Sequence, residues 1–203
     1  MILVGRYRSP FTRRVAVTLH LTGIPFERRI ITAWDALDAV TVINPAGRVP
    51  ALILDDGEAI AESSFIIDYL DHLAGPDRAL TPPAGPERFR VQQLVALAMG
   101  AMDKIAMVVY EVRERPPETR HQPWLERNQQ QVMSAFSALD QVVPSPWLTG
   151  DTMTQADATV GVLFEFVCRV DPTLIPDGRF ANLEALTARC DDLPAFKETL
   201  PEP

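Results

Sequence analysis

Short apolar runs separated by turn residues fill the first third of the chain. They predict strands at residues 2–4, 25–31, 51–54 and 58–60, and helices between Pro10 and Gly23 and at residues 63–73. The turn Asp55-Asp56-Gly57 joins the last two strands into a hairpin. Residues 34–42 are predicted as a short helix or a loop. The order βαβ, a connector, then ββα fits a four-stranded mixed sheet flanked by helices.

Beyond residue 75 the pattern changes to helical spacing of apolar residues. Residues 76–86 are rich in proline, which is typical of a linker between domains. The remaining predicted helices cover residues 89–113, 124–143, a stretch starting at Thr154, 183–190 and 195–199. We therefore predict a sheet-containing domain over residues 1–75, a linker over 76–86 and an all-helical domain over 87–203.

Composition and charge narrow the class of protein. With 47% hydrophobic residues among 203, the chain can form real cores in one large or two small domains. The formal net charge of −8 argues against a nucleic-acid partner. No apolar run is long enough to span a bilayer, and the N-terminus has no signal-peptide layout. Because Cys168 and Cys190 lack metal-ligand spacing, we expect no metal site and a cytoplasmic protein.

Three short segments lie where predicted elements meet. They are Ser9-Pro10-Phe11-Thr12-Arg13-Arg14-Val15, Gly47-Arg48-Val49-Pro50-Ala51 and Ala61-Glu62-Ser63-Ser64. The first places a hydroxyl at the start of a helix, and the third places a carboxylate and two hydroxyls at the start of another. Helix N-termini favour anions because their N–H groups are unpaired and the helix dipole is positive there. The second segment places a proline before a strand, next to a backbone edge.

A fourth segment completes the pattern. Trp147-Leu148-Thr149-Gly150-Asp151 leads into Thr154-Gln155-Ala156-Asp157, which has the spacing of a capping box. This set of motifs resembles the cytosolic glutathione S-transferases of the bacterial, serine type, over the whole chain. The resemblance implies a thioredoxin-like domain followed by an all-helical domain. It also implies a homodimeric enzyme that binds glutathione as co-substrate, needs no cofactor and transfers the thiol to a small hydrophobic electrophile.

The resemblance assigns the catalytic role to Ser9, whose hydroxyl would donate a hydrogen bond to the glutathione thiolate. A serine cannot form a mixed disulfide, so thiol–disulfide exchange at this position is excluded. The plainer alternative is that Ser9 only caps the helix. Tyr7 is the second candidate, because some classes of the family use a tyrosine hydroxyl near the end of the first strand, and Thr12 is the third.

The resemblance also implies a set of glutathione-binding residues, namely Ser9, Phe11, Arg48, Val49, Pro50, Glu62 and Ser63. The Val49-Pro50 bond is expected to be cis, with the Val49 N–H and C=O pairing with the peptide as an added strand. An ordinary trans proline at an edge strand is the alternative. Ser63 would bind the γ-glutamyl carboxylate and Glu62 the amino group, although a plain N-cap pair looks the same locally. Arg48 would approach the glycine carboxylate or stay solvated.

A second-substrate pocket is predicted from apolar side chains, namely Phe11, Met102, Ala106 and Tyr110. An apolar stripe at helical spacing, such as this one on the long helix, is more often part of a core. Met99 stands where bacterial relatives often carry an Asp, which leaves the anchoring of the glutathione amino group open. Two other functions stay open: a non-catalytic binding or regulatory protein of this type, and a glutathione-dependent isomerase or peroxidase.

Overall fold

The computed structural model describes residues 1–31, 34 and 36–202. These divide into two compact units. The first contains Met1–Gly85 and Asp191–Pro203, and the second contains Pro86–Cys190. The helical domain was predicted to run over residues 87–203, whereas in the structure residues 191–202 group with the sheet-containing unit.

The first unit is built on a four-stranded mixed sheet. Its strands are β1 (Ile2–Val4), β2 (Glu27–Arg29), β3 (Ala51–Ile53) and β4 (Ala59–Ala61), in the order β2-β1-β3-β4. β1 pairs parallel with β2 and antiparallel with β3, and β3 pairs antiparallel with β4. β2 is shorter than the predicted strand at residues 25–31, because its three-residue neighbour offers partners to only three of those residues.

Helices cover the sheet and join its strands. They are α1 (Pro10–Thr22), α2 (Leu37–Ile43) and α3 (Ser63–Ala74). α1 makes the crossover that the parallel β1–β2 pair requires, and Gly23 ends it in the left-handed conformation at φ 67°. Apolar residues at spacings of four, Val15 with Leu19 and Ile66 with Leu70, place α1 and α3 in one buried cluster with β1 and β3.

The second unit is helical. Its helices are α4 (Gly85–Glu114), α5 (Gln122–Asp140), α6 (Gln155–Val170) and α7 (Ala181–Asp191), with 3-10 turns at Pro117–Thr119 and Pro172–Leu174. A short α8 (Pro194–Lys197) follows and packs on α1. α4 begins four residues earlier than predicted, because a proline is tolerated in the first helical turn. In the part of the chain that the structure describes, no helix is long and apolar enough to cross a membrane.

The predicted capping box at the start of α6 is present. The Asp157 carboxylate accepts from the Thr154 N–H at 2.8 Å and from the Thr154 hydroxyl at 2.9 Å. Its other oxygen accepts from the Leu148 N–H at 2.8 Å. Burial raises the pKa of Asp157, and these hydrogen bonds oppose that rise. The carboxylate therefore ties the preceding turn to the first turn of the helix.

Candidate functional site

A pocket of about 160 Å³ opens in the first unit. Its lining comes from α1, the loop between α2 and β3, the end of β4 and the start of α3. It consists of Phe11, Asn44, Ala46, Arg48, Val49, Pro50, Ala61, Glu62 and Ser63. Three segments that lie far apart in the sequence therefore meet at one concave site. Of the predicted glutathione-binding residues, all line this pocket except Ser9.

Asn44 shapes the loop that forms one wall of the pocket. Its side-chain amide donates to the Arg48 C=O at 2.7 Å, and its side-chain oxygen accepts from the Ala46 N–H at 3.1 Å. Gly47 lies at φ 65°, where a Cβ would come within 2.9 Å of a Leu37 methyl group. The sequence interpretation missed Asn44 as a lining residue, although Asn-Pro-x-Gly is a recognisable turn signal.

The Val49-Pro50 peptide bond is cis, which confirms the prediction. Pro50 is buried and Val49 is half-buried. Among the described residues, neither the N–H nor the C=O of Val49 has a backbone hydrogen-bond partner. The exposed Arg48 guanidinium lies 5.9 Å from the centre of the Phe11 ring. The wall of the pocket thus presents an open backbone edge with a cation beside it.

Glu62 caps α3 from an unusual backbone conformation. Its φ of 75° makes it the sole described non-glycine residue with positive φ, a strain of about 1–3 kcal/mol. Its carboxylate accepts from the N–H groups of Ser64 at 3.0 Å and Phe65 at 3.4 Å. The Ser63 hydroxyl donates to the other Glu62 oxygen at 3.3 Å. The Ser63 N–H has no acceptor among the described residues and lies at the pocket wall.

Arg14 lies behind this helix start and is almost completely buried, with 1% of its surface exposed. Its Nη1 donates to the Ser63 hydroxyl oxygen at 3.0 Å and to that of Ser64 at 3.2 Å. Burial lowers the pKa of Arg14 to about 10, and the Glu62 charge opposes this. The guanidinium remains protonated at neutral pH, so a buried cation adds positive charge behind the N-terminus of α3.

The three candidate hydroxyls differ in access. Ser9 is half-buried and caps α1, accepting from the Thr12 N–H at 3.4 Å. Tyr7 belongs to the hydrophobic cluster with 6% of its surface exposed, beneath the Arg28 guanidinium, which lies 3.4 Å from the ring centre. Burial raises the pKa of the Tyr7 phenol, and Arg28 opposes the rise. Thr12 has no exposed surface and packs against Gly5. Of these three side chains, that of Ser9 is the most accessible.

The residues predicted for a second substrate are exposed to different degrees. On α4, Met102 has no exposed surface and Ala106 is buried, whereas Tyr110 is 41% exposed. The complete burial of Met102 fits the alternative given by the sequence, in which the apolar stripe of this helix belongs to a core. The pocket predicted from Phe11 and these three residues stays a prediction.

Comparison with known proteins defines the class. Residues 8–73 match the glutathione S-transferase N-terminal domain, and residues 96–194 match the glutathione S-transferase C-terminal domain. The GST-like protein YibF of Escherichia coli (strain K12) is 31% identical over 160 residues, which cover 79% of this chain and 78% of YibF. The chain belongs to the glutathione S-transferase family.

Two further similarities extend over the whole chain. A maleylpyruvate isomerase of Ralstonia sp is 28% identical over 211 residues, covering 99% of this chain and 97% of the isomerase. The crystal structure of a glutathione S-transferase from Methylobacterium radiotolerans, in complex with glutathione sulfonate, has a TM-score of 0.92 at 28% identity. The match covers 100% of this chain and 95% of that one. The predicted family and the predicted fold, a thioredoxin-like domain followed by helices, are confirmed.

Proposed function

We propose that this protein is a glutathione transferase. It binds glutathione in the pocket between Phe11 and Ser63, stabilises the thiolate with Ser9, and transfers it to an electrophilic carbon of a small hydrophobic molecule. The observation that carries the proposal is the pocket, which combines an open backbone edge at Val49 with an anion-binding helix N-terminus at Ser63. Glutathione is the co-substrate, and the reaction needs no further cofactor.

The groups around the pocket match the chemistry of the tripeptide. The Ser63 N–H suits the γ-glutamyl carboxylate, and so does the Ser63 hydroxyl once its proton turns from Glu62 to the ligand. The α3 dipole and Arg14 lie behind these two groups. The Glu62 carboxylate suits the amino group. The Val49 N–H and C=O pair with the cysteinyl residue as an added strand, and Arg48 suits the glycine carboxylate. Each charged group of the ligand thus meets a group of opposite charge or a hydrogen-bond partner.

Ser9 has the access and the hydrogen-bonding capacity for the thiolate. Its oxygen accepts from the Thr12 N–H, which leaves the hydroxyl proton to donate. A thiol of pKa about 8.5 is roughly 3% ionised at pH 7, and lowering that pKa by about two units takes about 2.7 kcal/mol. A hydrogen bond to a charged group gives about 1.5–3 kcal/mol, and a helix N-terminus adds about 0.3–1 kcal/mol. Together they suffice without a strong base.

Glutathione-dependent isomerisation is the second candidate, because the similarity to the Ralstonia maleylpyruvate isomerase spans 99% of this chain. In that reaction the thiolate adds to one carbon of a conjugated cis double bond, and the π electrons move to the carbonyl oxygen. The former double bond rotates, and elimination restores it as trans while releasing the thiolate. Isomerisation therefore leaves the glutathione concentration unchanged, whereas conjugation consumes one glutathione per product and expels the leaving group or saturates the electrophile.

The proposal is tested with Ser9→Ala beside Tyr7→Phe and Thr12→Ala. We expect Ser9→Ala to lose about ten- to more than a hundredfold in kcat, from one charge-assisted hydrogen bond, while its KM for glutathione changes little. The absorbance of bound thiolate as a function of pH should show a raised thiol pKa in Ser9→Ala alone. A rise confined to Tyr7→Phe or Thr12→Ala would contradict the assignment of Ser9.

A panel of electrophiles separates the candidate functions. Aryl halides and enones report conjugation by loss of glutathione, and maleylpyruvate reports isomerisation without that loss. Retention on immobilised glutathione with no turnover of any compound would instead indicate a binding or regulatory protein.

We also infer a homodimer in the cytoplasm. Large apolar side chains are exposed on three helices: Phe65 on α3, Phe89 on α4 and Trp124 on α5. Contact with a second copy would remove this apolar surface from water. The chain has two cysteines, and so small a number is typical of a protein from a reducing compartment.

A further inference from the structure

Residues 191–202, hereafter the 191–202 segment, are anchored on the first unit. α8 packs on α1, and Phe196 and Thr199 are buried. The Arg13 side chain donates through Nε to the Thr199 C=O at 3.0 Å, and its guanidinium lies 5.5 Å from the centre of the Phe196 ring. These contacts fix the segment up to residue 199 through buried groups.

Beyond this anchor, the side chain of Glu202 reaches the loop between β1 and α1. One carboxylate oxygen accepts from the Tyr7 N–H at 3.3 Å, and the other accepts from the Arg8 N–H at 3.2 Å. The carboxylate also forms an ion pair with Arg28 of β2. The Glu202 side chain is 26% exposed and that of Arg28 is 22% exposed, so both charges are partly withdrawn from water. Hydrogen bonds to an ionised acceptor are the stronger kind.

These bonds lie immediately before Ser9 in the chain. The β1–α1 loop is fixed at its start by the bond from the Gly5 N–H to the Arg29 C=O at 3.0 Å, and at its end by the bond from the Ser9 N–H to the Arg6 C=O at 3.1 Å. Glu202 binds the two consecutive N–H groups between these points. Its carboxylate therefore holds the backbone of residues 7 and 8, which lead directly into Ser9 and α1.

We infer that Glu202 is a positioning residue for Ser9: it holds the β1–α1 loop so that the Ser9 hydroxyl lies within hydrogen-bond distance of the bound thiolate. The inference rests on the proposed function, in which Ser9 stabilises that thiolate. Glu202 does not line the glutathione pocket. Its loss should therefore raise the pKa of the bound thiol and leave the affinity for glutathione nearly unchanged. A displacement of a reacting group by about 1 Å can cost roughly a hundredfold in rate.

The experiment compares Glu202→Ala with Glu198→Ala. Glu198 lies on the same segment, but its side chain pairs with His20 at 3.0 Å, and no backbone N–H of the described β1–α1 loop donates to it. We expect Glu202→Ala to lose about tenfold or more in kcat, while its KM for glutathione stays within about twofold. The pKa of the bound thiol should rise, and amide exchange at residues 7 and 8 should become faster. Glu198→Ala should behave as wild type in all four measurements.

Chemical rescue distinguishes positioning from general loosening of the fold. Acetate can occupy the space of the deleted carboxylate, so it should restore part of the kcat of Glu202→Ala, and chloride at equal ionic strength should not. If Glu202→Ala does not fold, Glu202→Gln keeps one acceptor oxygen and should show the same changes to a smaller degree.

Two results would overturn the inference: unchanged amide exchange at residues 7 and 8 in the Glu202 variants, or a lost kcat that acetate does not restore. A different experiment tests the proposed function itself: full turnover by Ser9→Ala would contradict the role of Ser9. Amide exchange is measured without glutathione, so it decides whether Glu202 orders the loop in either case.

Discussion

Replacing Arg14 with methionine should separate glutathione affinity from protein stability. Methionine has a similar length and no charge, so the variant removes the buried cation with little change in packing. It also removes the two hydrogen bonds that Nη1 donates to the hydroxyls of Ser63 and Ser64. Without ligand, the Ser63 hydroxyl keeps its bond to Glu62. The pocket therefore retains its shape and loses the positive charge behind its anion-binding end.

The distances set the expected loss of affinity. Ser63 Oγ lies 3.0 Å from Arg14 Nη1. When the Ser63 hydroxyl turns its single proton from Glu62 to a ligand carboxylate at about 2.7 Å, that carboxylate lies within about 5.7 Å of the nitrogen. At an effective dielectric constant of about 20, opposite unit charges at that distance attract by about 3 kcal/mol. The dissociation constant for glutathione should thus rise about a hundredfold.

Stability should change much less. The pKa of Arg14 falls from 12.5 to about 10 in the folded protein because of burial, so the folded state disfavours the cation by about 3 kcal/mol. The folded-state pKa lies below the unfolded value, hence this penalty is fully present at pH 7 and is relieved as the pH rises through about 10. Arg14→Met removes the penalty and also two hydrogen bonds from a charged donor, each worth about 1.5 kcal/mol at the low end of the usual range. The two effects nearly cancel.

Titration calorimetry with glutathione and thermal unfolding are the two assays. Arg14→Met should bind about a hundredfold more weakly, and Tm should stay within about 4 °C of wild type. Arg14→Lys keeps the charge and should lose less affinity. Ser64→Ala is the matched control, because Ser64 accepts from Arg14 but does not line the pocket. Unchanged affinity of Arg14→Met would refute the electrostatic argument, and a fall of Tm by about 10 °C or more would show that the cation is structural.

Three further outcomes follow from the fold. Light scattering at micromolar protein should give twice the chain mass of 22.5 kDa, and a monomer would contradict the homodimer. Asp157→Asn replaces an oxygen that accepts from Thr154 with a donor, so urea titration should show about 1–3 kcal/mol less stability. Gly5→Ala should lower Tm, because its Cβ would lie 2.6 Å from Thr12 Oγ1 at a φ of 137°; an unchanged Tm would mean that the loop relaxes.

Local patterns in the sequence predicted the fold where one residue type decides the geometry. The Asp55-Asp56-Gly57 turn between two apolar runs produced the hairpin of β3 and β4, and Gly23 ended α1 as expected. The length of β2 could not be predicted, because it depends on how many residues its neighbour offers. The ambiguous stretch at residues 34–42 overlaps α2 (Leu37–Ile43), and Thr32, Ala33 and Asp35 near it lie outside the described residues. The grouping of residues 191–202 with the first unit depends on tertiary contacts alone.

The site was predictable only in part, for a related reason. Hydroxyls at a helix start have a local signal, and Ser63 therefore stood out beside Glu62. Arg14 did not stand out, because the sequence does not distinguish it from the adjacent Arg13. Only the elements packed against α1 show which arginine lies behind Ser63. Glu202 lies almost two hundred residues from the loop that it binds, and nothing in its flanking sequence marks that contact. Charged residues of this kind are brought near the site by tertiary packing, so no local sequence motif identifies them.

The arrangement of α1 leads to a last prediction, that binding and thiolate stabilisation can be changed independently. Successive residues on a helix point about 100° apart, so Arg13 faces the 191–202 segment while Arg14 faces the start of α3. The hydrogen bonds that Arg14 donates to Ser63 and Ser64 and the contacts of Glu202 with Tyr7, Arg8 and Arg28 involve different residues. Changes without common partners usually add to within about 0.5 kcal/mol.

The double variant Arg14→Met/Glu202→Ala should therefore lose kcat/KM by the product of the two single losses, to within about a factor of two. The first change should act through KM and the second through kcat, measured from initial rates over a range of glutathione concentrations. If kcat/KM of the double variant were no lower than that of the less active single variant, both charges would act on the same step. The N-terminus of α1 would then be one electrostatic unit, and the separate roles of Arg14 and Glu202 would have to be abandoned.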